Sequence, residues 1–170
     1  MSKPRAERPY MPDYGVDTPD WQPLPWSWAA ERLLAARNLW VVTVSGAGRP
    51  HALPLWGVWD DDDLRFGFSC GPRSRKIRNL DANPQAVIMT ESTVECVSVE
   101  GRAARIGDRA RQHQWVERYL VKYGAMAPGL TAEFIRQNVL VEFTPERAFA
   151  VIETEEEFST RATRWVFGQS

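Results

Sequence analysis

Cysteine is scarce in this 170-residue chain: Cys70 and Cys96 stand far apart and outside any C-x-x-C. A disulfide framework and a cysteine-based zinc site are both excluded as organising devices, and lone thiols suit a reducing compartment. Histidine is equally rare. His51 and His113 are too distant to give a metal-ligand spacing, so no metal is expected. No Ser–His–Asp order worth defending is present. Charge of one sign is lacking too: the net charge of −1 argues against a dedicated nucleic-acid binder. No apolar run approaches the ~18 residues of a membrane span; Leu39–Val44 is far too short. Lys3, Arg5 and Arg8 are followed by Pro9, Pro12 and Pro19, not by an apolar stretch, so no signal peptide is read. These absences lead to the expectation of a cytoplasmic protein with no membrane and no nucleic acid.

Large aromatics, by contrast, are abundant. Trp21, Trp26, Trp28, Trp40, Trp56 and Trp59 precede Trp115 and Trp165. Most are expected to fill a core or a subunit interface, and one or two to wall a planar ligand. Residues 1–24 carry proline and charge without period and read as an extended N-terminal arm. A helix follows, with Ser27 as its cap and Asn38 near its end. Strand signals then run over 39–45, 51–59 and 64–69, with Gly46-Ala47-Gly48 as a hairpin loop and Asp60–Asp63 as a charged tip. A short helix over 74–82 leads to strands at 85–90 and 95–107. A helix capped by Asp108 runs to Tyr123, another spans 131–138, and strands at 139–143 and 148–152 close the pattern. Residues 155–170 read as a C-terminal arm. Many short strands, tight turns and few helices predict a mainly β (α+β) fold: a six- to seven-stranded antiparallel split β-barrel with a few flanking helices, over residues 25–154.

The strongest chemical feature is Gly71-Pro72-Arg73-Ser74-Arg75-Lys76-Ile77-Arg78-Asn79. Four cations gather where a strand gives way to a helix. Cations at a helix N-terminus oppose its dipole, so an anion is needed to offset them. Arginine grips phosphate oxygens in pairs and lysine adds a point charge. Ser69 and Ser74 add hydroxyls. A flat apolar slot is available from Leu53, Pro54, Leu55 and Trp56, with His51 at its end. Pro54 cannot donate to a ladder, so pairing is expected to relax there.

The run Ser74-Arg75-Lys76, then Asn79-Leu80 and Asn83-Pro84, resembles the pyridoxamine 5′-phosphate oxidase-like proteins, and more closely their flavin/deazaflavin oxidoreductase branch. Gly48–Gly57, Val99-Glu100-Gly101, Lys122-Tyr123 and Ala162-Thr163-Arg164-Trp165 carry the same resemblance, over roughly residues 24–167. It implies an FMN-binding type of split barrel. Ser74, Arg75 and Lys76 would hold a cofactor phosphate with Asn79 nearby, and His51 to Trp56 would run beside the tricyclic ring. The ring would lie at a homodimer interface, with Arg164 and Trp165 approaching it.

FMN and the deazaflavin coenzyme F-420 both fit such a clamp; the segments near Trp56 and Arg164-Trp165 favour deazaflavin slightly. The implied activity is an oxidoreductase passing hydride to or from a small organic substrate. No catalytic acid or base can be named. The alternative is a non-catalytic module that binds or carries the cofactor. Haem on the same barrel is disfavoured by the two histidines.

Overall fold

In Leu39–Val44 every second residue is buried, which is the period of a half-buried strand. The computed structural model, which describes residues 3–168, makes this segment β2. It turns through Gly48, whose φ of 79° suits a residue without a Cβ, into β3, Pro50–Leu55. β4 (Gly57–Asp60), β5 (Arg65–Cys70), β6 (Gln85–Met89), β7 (Glu95–Arg105) and β8 (Val139–Ile152) follow. Every pairing is antiparallel. β2 joins β3 and β6, β6 joins β7, β7 joins β8, β8 joins β5, and β5 joins β4. Because β3 and β4 are one bent stretch of chain, hinged at Trp56, the ring of pairings closes. The structure is thus a barrel of six strands, or seven when β3 and β4 are counted apart.

The expected single strand over 51–59 therefore splits in two, and the break comes at Trp56 rather than at Pro54. Pro54 sits in register opposite Trp40. An edge strand tolerates it, because its missing N–H costs no ladder bond on the open side. The strands expected at 139–143 and 148–152 are instead one, β8, whose first part pairs with β5 and whose last part pairs with β9, Thr163–Val166. β1, Arg5–Glu7, pairs with β9. The two segments read as arms thus lie side by side and extend the sheet beyond β8; their outermost residues, 1–2 and 169–170, lie outside the described residues. β7 shifts register between Glu100 and Gly101, where an added Cβ would stand 2.1 Å from the Thr144 carbonyl oxygen.

α1 spans Trp26–Ala35, earlier than the sequence suggested at both ends, and Ser27 does not cap it. Its first turn is instead pinned by Trp26, whose indole N–H donates to Asp61 at 2.9 Å. α2 spans Arg75–Ala82, α3 Arg109–Tyr123, α4 Ala132–Arg136 and α5 Phe158–Arg161. Asp108 caps α3 as expected, accepting from Arg111 N–H at 2.7 Å. The barrel interior holds Val41, Phe66, Phe68, Ile88, Val99 and Phe143, with Leu33 of α1 and Ile77 of α2 closing over it. A second core, of Val58, Trp115, Tyr119, Tyr123, Ile135 and Leu140, joins α3 and α4 to the outer face of β4, β5 and β8. Full burial of one such side chain contributes about 1.5–3 kcal/mol. The charged tip is not free in solvent. Asp60 is buried and pairs with Arg118, and Asp63 pairs with Arg111 at 2.9 Å.

Candidate functional site: a cationic helix start beside an open strand

α2 begins where β5 ends, after the turn Gly71–Ser74. Ile77 and Leu80 face the core, which sends Arg75 and Arg78 outward, and Arg73 in the turn is exposed as well. Ser74 is the N-cap: its hydroxyl accepts from Ile77 N–H at 3.4 Å, and it also lies 3.5 Å from Cys70 Sγ. The helix start is therefore capped by a side chain of the chain itself. Burial pushes the Cys70 thiol up, away from the thiolate form.

Several cations elsewhere have carboxylate partners. Arg5, Arg32, Arg105, Arg111, Arg118 and Arg164 all pair with carboxylates. Among the described residues no ion pair is made by Arg73, Arg75, Lys76 or Arg78. Four cations without carboxylates, at the positive end of a helix, have the chemistry to hold an anion bearing several oxygens.

Two hydrogen bonds fasten the helix to β2 and β3. Asn79 Nδ2 donates to Thr43 Oγ1 at 2.9 Å, with both residues buried. One turn earlier, Arg75 Nη1 lies 3.2 Å from His51 Nδ1. Thr43 and His51 are direct partners across β2 and β3. The spacing of Arg75 and Asn79, i and i+4, thus matches one cross-strand pair. Burial first, then the charges of Arg75 and Arg49, holds the His51 imidazole below its usual range. Along the same face of β3, Leu53 is 55 % exposed, and Ala52 and Pro54 on the opposite face are exposed too. Among the described residues β3 pairs only with β2, so its outer edge is open.

The bend at Trp56 is held by α3. Tyr119 donates its hydroxyl proton to the Trp56 carbonyl and accepts from Ser69 N–H at 3.0 Å. The Tyr123 hydroxyl accepts from Gly57 N–H at 2.9 Å and lies 2.8 Å from the Gly57 carbonyl oxygen. Lys122 Nζ donates to the same carbonyl at 3.0 Å. The Trp56 indole stacks on Tyr123, with centroids 4.7 Å apart and planes 4° from parallel. Burial raises both phenols, Tyr123 to about 12, and lowers Lys122 to about 8.

The structure thus brings Ser74, Arg75, Lys76, Asn79 and His51 together at one end of β3, with Leu53 and Pro54 farther along that strand. Asn79 faces inward and its amide is engaged by Thr43, so it anchors the helix. Ser69 touches α3 through its backbone, and one face of Trp56 is covered by Tyr123. Arg164 and Trp165 are not brought to the cluster. They lie on β9, beyond β8 in the sheet. Arg164 pairs with Glu7 at 2.6 Å. Trp165 is fully buried, edge-on to Trp26 at 5.5 Å, because β9 covers the core; it is a core residue, not the wall of an open slot. Thr43, Tyr119, Tyr123 and Lys122 gain supporting roles that sequence reasoning did not assign. The i, i+4 tyrosines on α3, and the Lys122-Tyr123 pair that carries part of the resemblance, were the available signals.

The model of the family described as pyridoxamine 5′-phosphate oxidase matches residues 29–152. Among solved structures, a conserved hypothetical protein from Mycobacterium tuberculosis superposes with a TM-score of 0.65 at 18% identity, covering 77% of this chain and 86% of that one. The heme storage protein HutZ from Vibrio cholerae gives 0.57 at 20%, covering 74% and 90%. A protein named as an F-420 reductase gives 0.55 at 19%, covering 69% and 94%. At these identities the likeness is one of fold. No curated protein matches the sequence significantly.

Proposed function

Because the chain belongs to the pyridoxamine 5′-phosphate oxidase family, we propose that it is an oxidoreductase that binds a phosphate-bearing flavin or deazaflavin at the α2 entrance. The observation that carries this reading is the set Arg73, Arg75, Lys76 and Arg78, which the chain leaves without carboxylates at a capped helix start. Arg75 and Lys76 bind the phosphate, Ser74 and the first-turn N–H groups add donors, and Asn79 keeps the helix in place. The open face and edge of β3 at Leu53 and Pro54 offer an apolar bed with free backbone groups for a planar ring. When bound, such a cofactor supplies hydride transfer at its central ring to a small organic substrate. Coenzyme F-420 is slightly favoured over FMN by the resemblance of the segments around Trp56.

The same reading includes a homodimer. Residues directly opposite in a ladder share a face. Trp40 faces Pro54 and Met89, and Val42 faces Ala52 and Val87, which gives an apolar outer face on β2, β3 and β6. Trp40 is 40 % exposed there. A second copy would cover this face and border the open strand. Titration with FMN and with coenzyme F-420, followed by turnover with quinone or enone acceptors, tests the function. Failure of both to bind removes the cofactor reading. Binding without turnover of any acceptor makes the protein a non-catalytic carrier of the cofactor.

A further inference from the structure

Arginine only donates, so the 3.2 Å contact from Arg75 Nη1 makes His51 Nδ1 an acceptor. The ring is therefore neutral, with its proton on Nε2. Two cations face it: Arg75 at the start of α2 and Arg49 in the β2–β3 turn. Its neighbour across the ladder, Thr43, is uncharged, and its hydroxyl already accepts from Asn79. No carboxylate among the described residues contributes to its electrostatics. The imidazole is thus kept neutral by the same cations that make the helix start attractive to an anion.

We propose that anion entry and proton uptake are coupled here: as a phosphate group draws the Arg75 guanidinium to itself, His51 is released at Nδ1, takes one proton from solvent and becomes an added cation of the site. The inference rests on the phosphate reading above and goes beyond it. The Arg75–His51 hydrogen bond and one O–H bond of hydronium are broken, one N–H bond forms at Nδ1, and water is left. The sign follows from linkage. A nearby anion favours the charged imidazole, so the bound state holds more protons than the free state, and affinity rises as pH falls. The rise begins as pH drops through the bound-state midpoint and levels off below the free-state midpoint.

The chain has only two histidines, which makes the test direct. Imidazole resonances of the full chain are titrated in chloride and in sulfate at matched ionic strength, sulfate having no proton to exchange near neutral pH. His113, held by Arg136 and Glu117, serves as the internal control. FMN affinity is then measured at pH 7.5 and 5.5 for the wild type and His51→Gln; their ratio cancels the charge change of the FMN phosphate itself. The expected results are an upward shift of the His51 midpoint in sulfate with His113 unmoved, and a wild-type advantage that grows about threefold or more at the lower pH. If FMN binds but the His51 midpoint stays put and the ratio is constant, the proton coupling is wrong and the phosphate site stands. If neither FMN nor sulfate binds, the phosphate reading fails, and the coupling with it.

Discussion

Asn79 and Thr43 meet in the buried seam between α2 and β2, amide to hydroxyl at 2.9 Å. Arg75 lies one helical turn earlier and His51 one strand over, so the contact that fixes the helix also fixes where its first arginine points. A buried polar pair inside, and an exposed cation–imidazole pair outside, together set the cationic helix start against β3.

Removing one member of the inner pair leaves a buried polar group without its partner. Asn79→Ala is expected to cost about 1–3 kcal/mol of unfolding free energy, measured in urea. It should also weaken FMN binding by loosening α2. The double variant Asn79→Leu with Thr43→Val should recover part of the stability, since both polar groups are then gone.

Arg75→Ala combined with Lys76→Ala removes the two cations assigned to the phosphate. With charge-assisted hydrogen bonds contributing about 1.5–3 kcal/mol each, FMN affinity should fall at least about tenfold. Neither side chain makes an ion pair among the described residues, and Arg75 gives up only its exposed hydrogen bond to His51, so the thermal midpoint should fall only slightly. Unchanged affinity would remove the clamp.

Tyr123→Phe deletes the hydroxyl that bonds Gly57 at the Trp56 bend. A loss of about 1–3 kcal/mol is expected from equilibrium unfolding. Gly57→Ala should be worse, because its Cβ would stand 2.1 Å from the Phe66 ring. Soluble, native-like expression of Gly57→Ala would contradict the close packing of the bend.

Stability should respond to alkaline pH in two opposed steps. Lys122 is lowered to about 8 in the fold, so the unfolded chain holds more protons between pH 8 and the ordinary lysine value, and stability rises with pH there. Tyr119 and Tyr123 are raised, the latter to about 12, so above about pH 10 their contribution is lost as pH rises. Lys122→Met should abolish the first step and keep the second, as read by denaturant midpoints from pH 7 to 11.

Trp40→Arg places a cation in the apolar outer face of β2, β3 and β6. Sedimentation at micromolar concentration should show a dimer for the wild type and a monomer for the variant. A wild-type monomer would remove the shared interface and leave the β3 edge uncovered.

The alternation in β7 was legible without coordinates, because a barrel strand with one buried face must repeat every two residues. So was the cationic helix start, because four cations beside Ser74 at a strand-to-helix junction are a local pattern. The bend at Trp56 was not. Nothing in 51–59 marks it, since it is enforced from outside by Tyr119 and Tyr123, more than sixty positions along the chain. The fate of Arg164-Trp165 was hidden for the same reason: β9 is held by β8 and β1, and its tryptophan by the core it covers.

The sequence by itself determined a closed antiparallel sheet and a positive helix entrance, because both follow from side chains within a few residues of one another. Only the tertiary structure decided which neighbours that entrance would have. Asn79 turned inward to Thr43, Arg75 came to lie against His51, and the two tails joined as adjacent strands, because long-range packing alone brings such distant residues into contact.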